Sequence, residues 1–472
     1  MIRPLGVAGL LLLGACAPSL PPVPELRTVP GAWTINPTAI APGVEDRWWL
    51  AFADPVLTDL VVAADLGDDP MIAEARLMEA VSRLESARAR LRPELAAAGE
   101  GEAGRIDGFE QDQIRSLLSL AWSPDLNGAG AARARAAMAA VSAEAARVAA
   151  VRQATRGTAV GLYIALREAQ AQAAAAERSI VALSGALALA ESRERAGLTS
   201  GFDRVATGAQ LAAARVRPSR ALEAETTARL GLEALLGLAP GALDDRPGDR
   251  REPPSVAGPD VLLVPAAVLA RRPDLIAAEW DLAVTGYEAE AARRDFWPTV
   301  SLSAVLGAQD IQPETPVLMS GGLARAGAGL ASPLLSFGRL GSARDAADAR
   351  RRASALTYRQ AATRALAEVE RALAATEGSR QRLTTLEEVR RLGGDRLTLA
   401  SSRYRAGLTT VLDVLAAEEA LADSDLALAS ARAEAARAHV ALSLAMGLGT
   451  STDSGLDDFA PRSSPVRQVP RA

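Results

Sequence analysis

Cys16 and His439 are the only cysteine and the only histidine among 472 residues. A metal site needs such groups clustered at set spacings, and a nucleophile needs a base beside it. Neither pattern occurs, nor does a glycine-rich phosphate loop, so no enzyme activity, no metal and no cofactor is expected. His439 lies in a helical pattern with no cysteine partner and reads as a packing or surface residue. The charged chemistry that stands out lies at two matched places. Arg193-Glu194-Arg195-Ala196-Gly197-Leu198-Thr199 returns as Arg403-Tyr404-Arg405-Ala406-Gly407-Leu408-Thr409, 210 residues later (403 − 193 = 210). Behind them, Ser200-Gly201-Phe202-Asp203 and Thr410-Val411-Leu412-Asp413 have the spacing of capping boxes. Gly197 and Gly407 suit the left-handed position past a helix end. Each copy therefore reads as the tip of a long helical hairpin.

The elements that would carry these tips are also duplicated. Gly128 and Gly338 open proline-free helical patterns that run to Ala196 and to Arg405, each able to reach on the order of 100 Å. Gly237 and Gly447 close the return helices. Asp69-Pro70 and Arg272-Pro273 precede alanine-rich helices that end at Pro93 and Pro298. Val141, Val148, Thr155, Leu162, Ala169, Ala176, Leu183 and Ala190 form a heptad seam with small residues that allow close approach. Arg152 interrupts a second, parallel seam, and Pro218 should break the first return helix, where the second has Leu428. Hydrophobic content of 49% with only 3% aromatics suits such helices better than a bulky core. Every basic residue is Arg, net charge is −5, and acids and bases are interspersed, which argues against nucleic acid as a partner.

Between the helices lie four candidate strands, Glu94 to Arg105, Ile114 to Trp122, Pro298 to about Gln309, and one through Ala324 to Leu330. Val300, Leu302, Ala304 and Leu306 alternate with Ser301, Ser303 and Val305, a pattern shared by membrane-crossing strands and half-buried strands of soluble sheets. Four strands cannot close a barrel, and lipid tolerates no open edge, so strands that span a bilayer require several chains to share one barrel. No apolar run of about 18 residues follows the N-terminus, so no helix is expected to cross lipid.

At the N-terminus an apolar run from Leu5 to Leu13 leads into Leu13-Gly14-Ala15-Cys16, which resembles a bacterial lipoprotein signal. That resemblance implies cleavage before Cys16, lipid on its sulfur and, with Ala17 next, an outer-membrane address. The expected organisation is a signal peptide over 1–15, a lipid-anchored extended arm over 16–50, a first repeat over 51–247, a linker over 248–265, a second repeat over 266–448 and a disordered tail over 449–472. Trp48, Trp49 and Phe52 are expected to lock the arm to the body.

Taken together, the lipobox, Trp48-Trp49 with Phe52, Trp122-Ser123-Pro124-Asp125-Leu126-Asn127-Gly128, Arg271-Arg272-Pro273-Asp274-Leu275 with Glu279, Phe296-Trp297-Pro298 and Tyr404-Arg405-Ala406-Gly407 resemble the TolC-like outer-membrane efflux proteins. The branch is the lipid-anchored one that serves resistance-nodulation-division pumps. The resemblance implies a mainly α fold with a small transmembrane β part. It implies a homotrimer that shares a twelve-stranded barrel and a twelve-helix tunnel, with a periplasmic adaptor and an inner-membrane pump as partners. The implied function is a passive exit duct for drugs or other small toxic compounds. Asp65-Leu66-Gly67-Asp68, Ala416 and Glu418 depart from the family pattern. A type I protein-secretion outlet shares the architecture, and a periplasmic adaptor or structural coiled-coil lipoprotein is the reading from another class.

The tips would then lie at the periplasmic end and close the tunnel. Threefold symmetry would make rings of Asp203 and of Asp413, countered by Arg403 or Arg405, with Tyr404 among the aperture residues and Leu412 as an apolar ring. Both aspartates could equally be helix caps. Ala196, Gly197, Leu198, Ala406, Gly407 and Leu408 are the expected docking surface for an adaptor hairpin, on the family resemblance.

Overall fold

The computed structural model describes residues 29–34, 46–106, 109–243, 252–256, 263–313 and 319–450. The signal segment, Cys16, most of the arm and of the tail, and part of the linker lie outside the described residues. In chain order the elements are α1 (Pro55–Ala64), α2 (Asp68–Ala89), β1 (Glu94–Ile106), β2 (Phe109–Trp122), α3 (Ala129–Arg195), α4 (Gly201–Ala214), α5 (Arg217–Leu235), α6 (Pro265–Arg271), α7 (Pro273–Arg294), β3 (Thr299–Pro313), β4 (Met319–Ala331), α8 (Arg339–Arg405) and α9 (Val411–Ala445).

The duplication holds element by element. α3 and α8 have 67 residues each, and both start after a glycine at positive φ, Gly128 or Gly338. α1 and α6 both begin on proline, whose fixed φ and missing N–H suit a helix start. The repeats differ where Pro218 was expected to act. α4 stops at Ala214, and α5 restarts at Arg217 with the proline in its first turn, whereas α9 runs unbroken for 35 residues. The helix expected over Met71 to Arg92 is α2, set back by three residues at each end.

Along α3 the predicted seam is the buried one. Val141, Val148, Thr155, Ala169, Ala176, Leu183 and Ala190 are all buried, and Leu162 is half-buried. Arg152, in the second seam, is buried and pairs with Glu74 of α2, so the interruption of the apolar pattern is a salt bridge between helices. One expectation needs correction: α3 does contain an 18-residue window with a mean hydropathy of 1.4, enough by length and composition for a membrane span. Alanine produces that score without bulk. The helix is about three times longer than the apolar thickness of a bilayer, and it packs along α2, α5, α7 and α9.

The four strands form one antiparallel sheet in the order β1-β2-β3-β4. They are longer than the alternation alone suggested, because glycine and polar residues continue the pairing past the apolar stretch. The register sorts the side chains into two faces. Leu95, Leu120, Ala304 and Ala326 form one cross-strand row, and Ala97, Leu118, Leu306 and Ala324 form the next. Leu95, Ile114, Leu118, Leu120, Leu302, Leu306 and Leu330 of that face are all exposed. The opposite face carries Ala96, Ser119, Val305 and Arg325 in one row, and Glu94, Ala121, Ser303 and Gly327 in another. A sheet with an exposed apolar face, an opposite face of mixed character and, among the described residues, two unpaired edges is stable in lipid only when closed.

Below the sheet, the end of the arm is tied into the waist of the molecule. Trp48, Trp49 and Phe52 are buried against Val160 and Ile164 of α3, Val369 and Leu373 of α8, Val440 of α9 and Met446 just past its end. Burial of each ring stabilises the junction by on the order of 2–3 kcal/mol. His439 belongs to this core, edge-on to Phe52 with ring centroids 5.5 Å apart, so its role is packing. Earlier in the arm, the Trp33 indole donates to the Leu263 carbonyl at 2.6 Å.

Candidate functional site: the hairpin tips

α3 and α8 end alike. The Leu198 N–H donates to the Arg193 carbonyl at 2.9 Å, and the Leu408 N–H to the Arg403 carbonyl at 2.9 Å. Gly197 and Gly407 sit at φ 69° and 75°, in the left-handed region a Cβ would strain. Ala196 and Ala406 cap the two helices just before them. Outside these turns Leu198, Leu408, Phe202 and Leu412 are exposed at 66%, 69%, 59% and 52%, an apolar fringe on an otherwise charged tip.

The two matched aspartates have different jobs. At the second tip the expected capping box forms between Thr410 and Asp413. The Asp413 carboxylate accepts from the Thr410 N–H at 3.2 Å, from the Thr410 hydroxyl at 3.0 Å and from the Thr409 hydroxyl. Those bonds hold the acid below the usual carboxylate range, with the Arg403 charge as a smaller contribution. At the first tip the capping box does not form: Ser200 makes no side-chain cap. Asp203 is taken instead by the other hairpin, where its carboxylate accepts from the Tyr404 hydroxyl at 2.9 Å. A cap by Ser200 was readable from spacing, but the pull of a buried tyrosine 201 residues away was not.

Tyr404 is the centre of this cross-tip contact. It is 5% exposed, enclosed by Leu183, Leu211, Val411 and Leu415. Burial and the bond to Asp203 push its hydroxyl up, so it stays a donor at any physiological pH. Arg193 lies over its ring at 4.7 Å and donates to the Tyr404 and Arg405 carbonyls at 3.2 and 3.4 Å. Arg193 thus satisfies carbonyls left open at the end of α8 while its charge faces the ring. It was not among the expected aperture residues, although it is the repeat equivalent of Arg403. The cation that bridges the two tips is thus on the first repeat. A local ion pair, Arg204 with Glu194 at 2.9 Å, stiffens the first tip. Cys16, the expected lipid site, lies outside the described residues.

The profile of the family described as outer membrane efflux protein matches residues 70–238 and 264–448, one stretch in each half of the chain. The chain belongs to that family. It is 30% identical over 438 residues to the pyoverdine export outer membrane protein OpmQ of Pseudomonas putida, covering 87% of this chain and 90% of that one. It is 28% identical over 291 residues to the outer membrane protein OprJ of Pseudomonas aeruginosa, covering 61% of this chain and 58% of that one. Among solved structures, the outer-membrane channel OprN aligns with a TM-score of 0.81 at 25% identity, over 90% of this chain and 99% of that one. The open state of the MtrE outer membrane channel of Neisseria gonorrhoeae aligns with a TM-score of 0.81 over 90% and 97%. The efflux protein is thus an outer-membrane channel with a TolC-like fold.

Proposed function

We propose that three copies of this efflux protein close into one exit duct, with a twelve-stranded barrel in the outer membrane and a helical tunnel below it. The observation that carries this is the sheet. It has four strands, one exposed apolar face, and β1 and β4 each unpaired on their outer edges among the described residues. Pairing β4 of one copy with β1 of the next satisfies both edges, and three copies reach twelve strands, above the eight that the smallest bacterial barrels need. Cys16 would carry the lipid that tethers the arm to the same membrane.

In this reading the tips form the periplasmic aperture, and the bond from Tyr404 to Asp203 helps hold it shut. Asp413, fully exposed beside the exposed Leu412, would give a ring of negative charge that favours cations over anions. An adaptor hairpin would dock at the glycine turns of Gly197 and Gly407, and an inner-membrane pump of the resistance-nodulation-division class would supply the energy. The cargo class is small organic compounds, in keeping with relatives named for pyoverdine export and for antibiotic efflux.

The test is direct. Acylated protein purified from outer membranes is expected to migrate as a heat-resistant trimer and to conduct in planar bilayers, and deletion is expected to sensitise cells to small toxic compounds. A monomer that never conducts overturns the reading.

A further inference from the structure

Near the tips, α3, α8 and α9 enclose a cavity of about 460 Å³. Its walls include Leu183 and Leu189 of α3, Leu397 of α8, and Val414 and Leu415 of α9. One acid lines it, Glu418. That residue is 8% exposed, and among the described residues no hydrogen bond or ion pair holds its carboxylate. Burial, with the Asp425 charge as a smaller cause, raises its titration above the usual carboxylate range. A buried acid without a partner is costly, and a protein ordinarily supplies one.

The partner is missing in a regular way. Seven residues further along α9, Asp425 is held from both sides, by Arg390 of α8 at 2.7 Å and by Arg178 of α3 at 3.4 Å. α9 runs antiparallel to α3 and α8, so the matching positions around Glu418 lie one heptad onward in those helices and one heptad back in α9. They are Gly185 and Leu397, and both line the cavity. Where Asp425 meets two guanidinium groups, Glu418 meets a glycine with open space at its Cβ position and a leucine. The one cation in the cavity wall, Arg405, forms no ion pair with Glu418 among the described residues, so the space beside the carboxylate is open to a cation from outside.

We propose that the cavity around Glu418 is a binding site for an organic monocation, whose charge sits beside Glu418 and whose apolar body lies against Leu183, Leu397 and Val414. The size suits an aromatic or amphiphilic cation of drug-like dimensions. Its place next to Tyr404 and Arg405 puts the ligand against the cross-tip contact, so occupancy and closure would be coupled. The site does not depend on the trimeric duct reading, because all of its walls belong to one chain.

The probe is ethidium, titrated by fluorescence and calorimetry into the full-length protein in detergent. One saturable site per chain is expected. Glu418→Gln, close in shape, is expected to fold normally and to weaken binding by about tenfold or more. Leu397→Arg, which recreates the arrangement around Asp425, is expected to abolish binding with Glu418 still in place. A neutral aromatic of similar size should bind the wild type no better than ethidium binds Glu418→Gln. Equal ethidium affinity in wild type and Glu418→Gln, unaltered binding in Leu397→Arg, or no saturable site would each overturn the proposal. Thermal unfolding of each variant, matched to wild type, shows that lost binding is not lost fold.

Discussion

The Tyr404 hydroxyl donates to the Asp203 carboxylate at 2.9 Å, joining the tips of two hairpins 201 residues apart in sequence. Their repeat equivalents, Glu194 and Asp413, make no such bond: Glu194 pairs with Arg204 and Asp413 caps α9. The latch therefore exists once per chain, and only because the two halves have diverged at these positions. Tyr404→Phe removes the donor with little change in packing. Loss of the bond is expected to cost the closed state about 1 kcal/mol, a factor of about five in the open-to-closed ratio. Single-channel recordings should show longer openings. Asp203→Ala, which removes the acceptor, should do the same, and the double variant should add little to either single one, because both remove one interaction. Additive effects would mean that the two residues act separately.

Asp413 is the exposed counterpart, and its two possible roles separate experimentally. Asp413→Ala removes the acceptor for the Thr410 N–H, so hydrogen exchange in the first turn of α9 should speed up while the rest of the helix is unaffected. If the carboxylate also lines the aperture, cation preference in planar bilayers falls in the same variant. The pH dependence follows from a depressed folded value. The cap is fully formed above the unfolded carboxylate range near 4 and is lost only as pH falls through the lower folded value. Protection factors at the start of α9, with the intrinsic pH dependence of exchange divided out, should therefore match at pH 7 and pH 5. A change between those values would contradict the bonding seen at Asp413.

The repeat, the helix lengths, the glycine turns and the break at Pro218 could all be read from the sequence because each is a local rule. A left-handed glycine, a proline in a first turn and a seven-residue seam require no knowledge of what lies across the molecule. The strand lengths were harder, since Gly321, Gly322 and Asp310 carry no alternation yet keep the pairing. The tip chemistry was legible only in part. Thr410 and Asp413 interact within four residues and were readable, whereas the link of Tyr404 to Arg193 and Asp203 depends on how α8 lies against α3 and α4. One apolar window was overlooked, because alanine raises the hydropathy of a helix to that of a membrane span without adding bulky side chains.

Tyr163, far from the tips, ties the waist to the arm and gives an alkaline signature. Its hydroxyl donates at 2.8 Å to Asp54, whose other oxygen caps α1 through the Val56 and Leu57 N–H groups at 3.0 and 3.2 Å. Burial, then the bond to Asp54, pushes the phenol up to about 12. The neutral form is therefore the one the fold favours. This stability is complete below the unfolded value of about 10 and is lost as pH rises through about 12. Spectrophotometric titration of the four tyrosines should show a late step that Tyr163→Phe removes. The same variant should lose about 1–2 kcal/mol at neutral pH, because a buried carboxylate oxygen loses its donor. An unchanged titration curve in Tyr163→Phe would place the late step on another residue.

The sheet offers the sharpest test of closure, at Gly307. A Cβ there would sit 2.4 Å from the Ser116 carbonyl oxygen and 2.8 Å from the Leu117 side chain, and the obstructing carbonyl is backbone that cannot rotate away. Gly307→Val must therefore push β3 away from β2 and break a ladder that runs from Gln111 to Trp122. The helical hairpins lie outside that ladder, and their packing has no reason to change. The expected result is a soluble-like, helical protein that is fully made but yields little heat-resistant oligomer in outer-membrane fractions. Gly99→Ala is the control, since its Cβ meets nothing within 4 Å and its row faces the apolar side. Normal oligomer yield from Gly307→Val would show that the β2–β3 pairing is not needed for assembly, and the shared barrel would then have to close by another register.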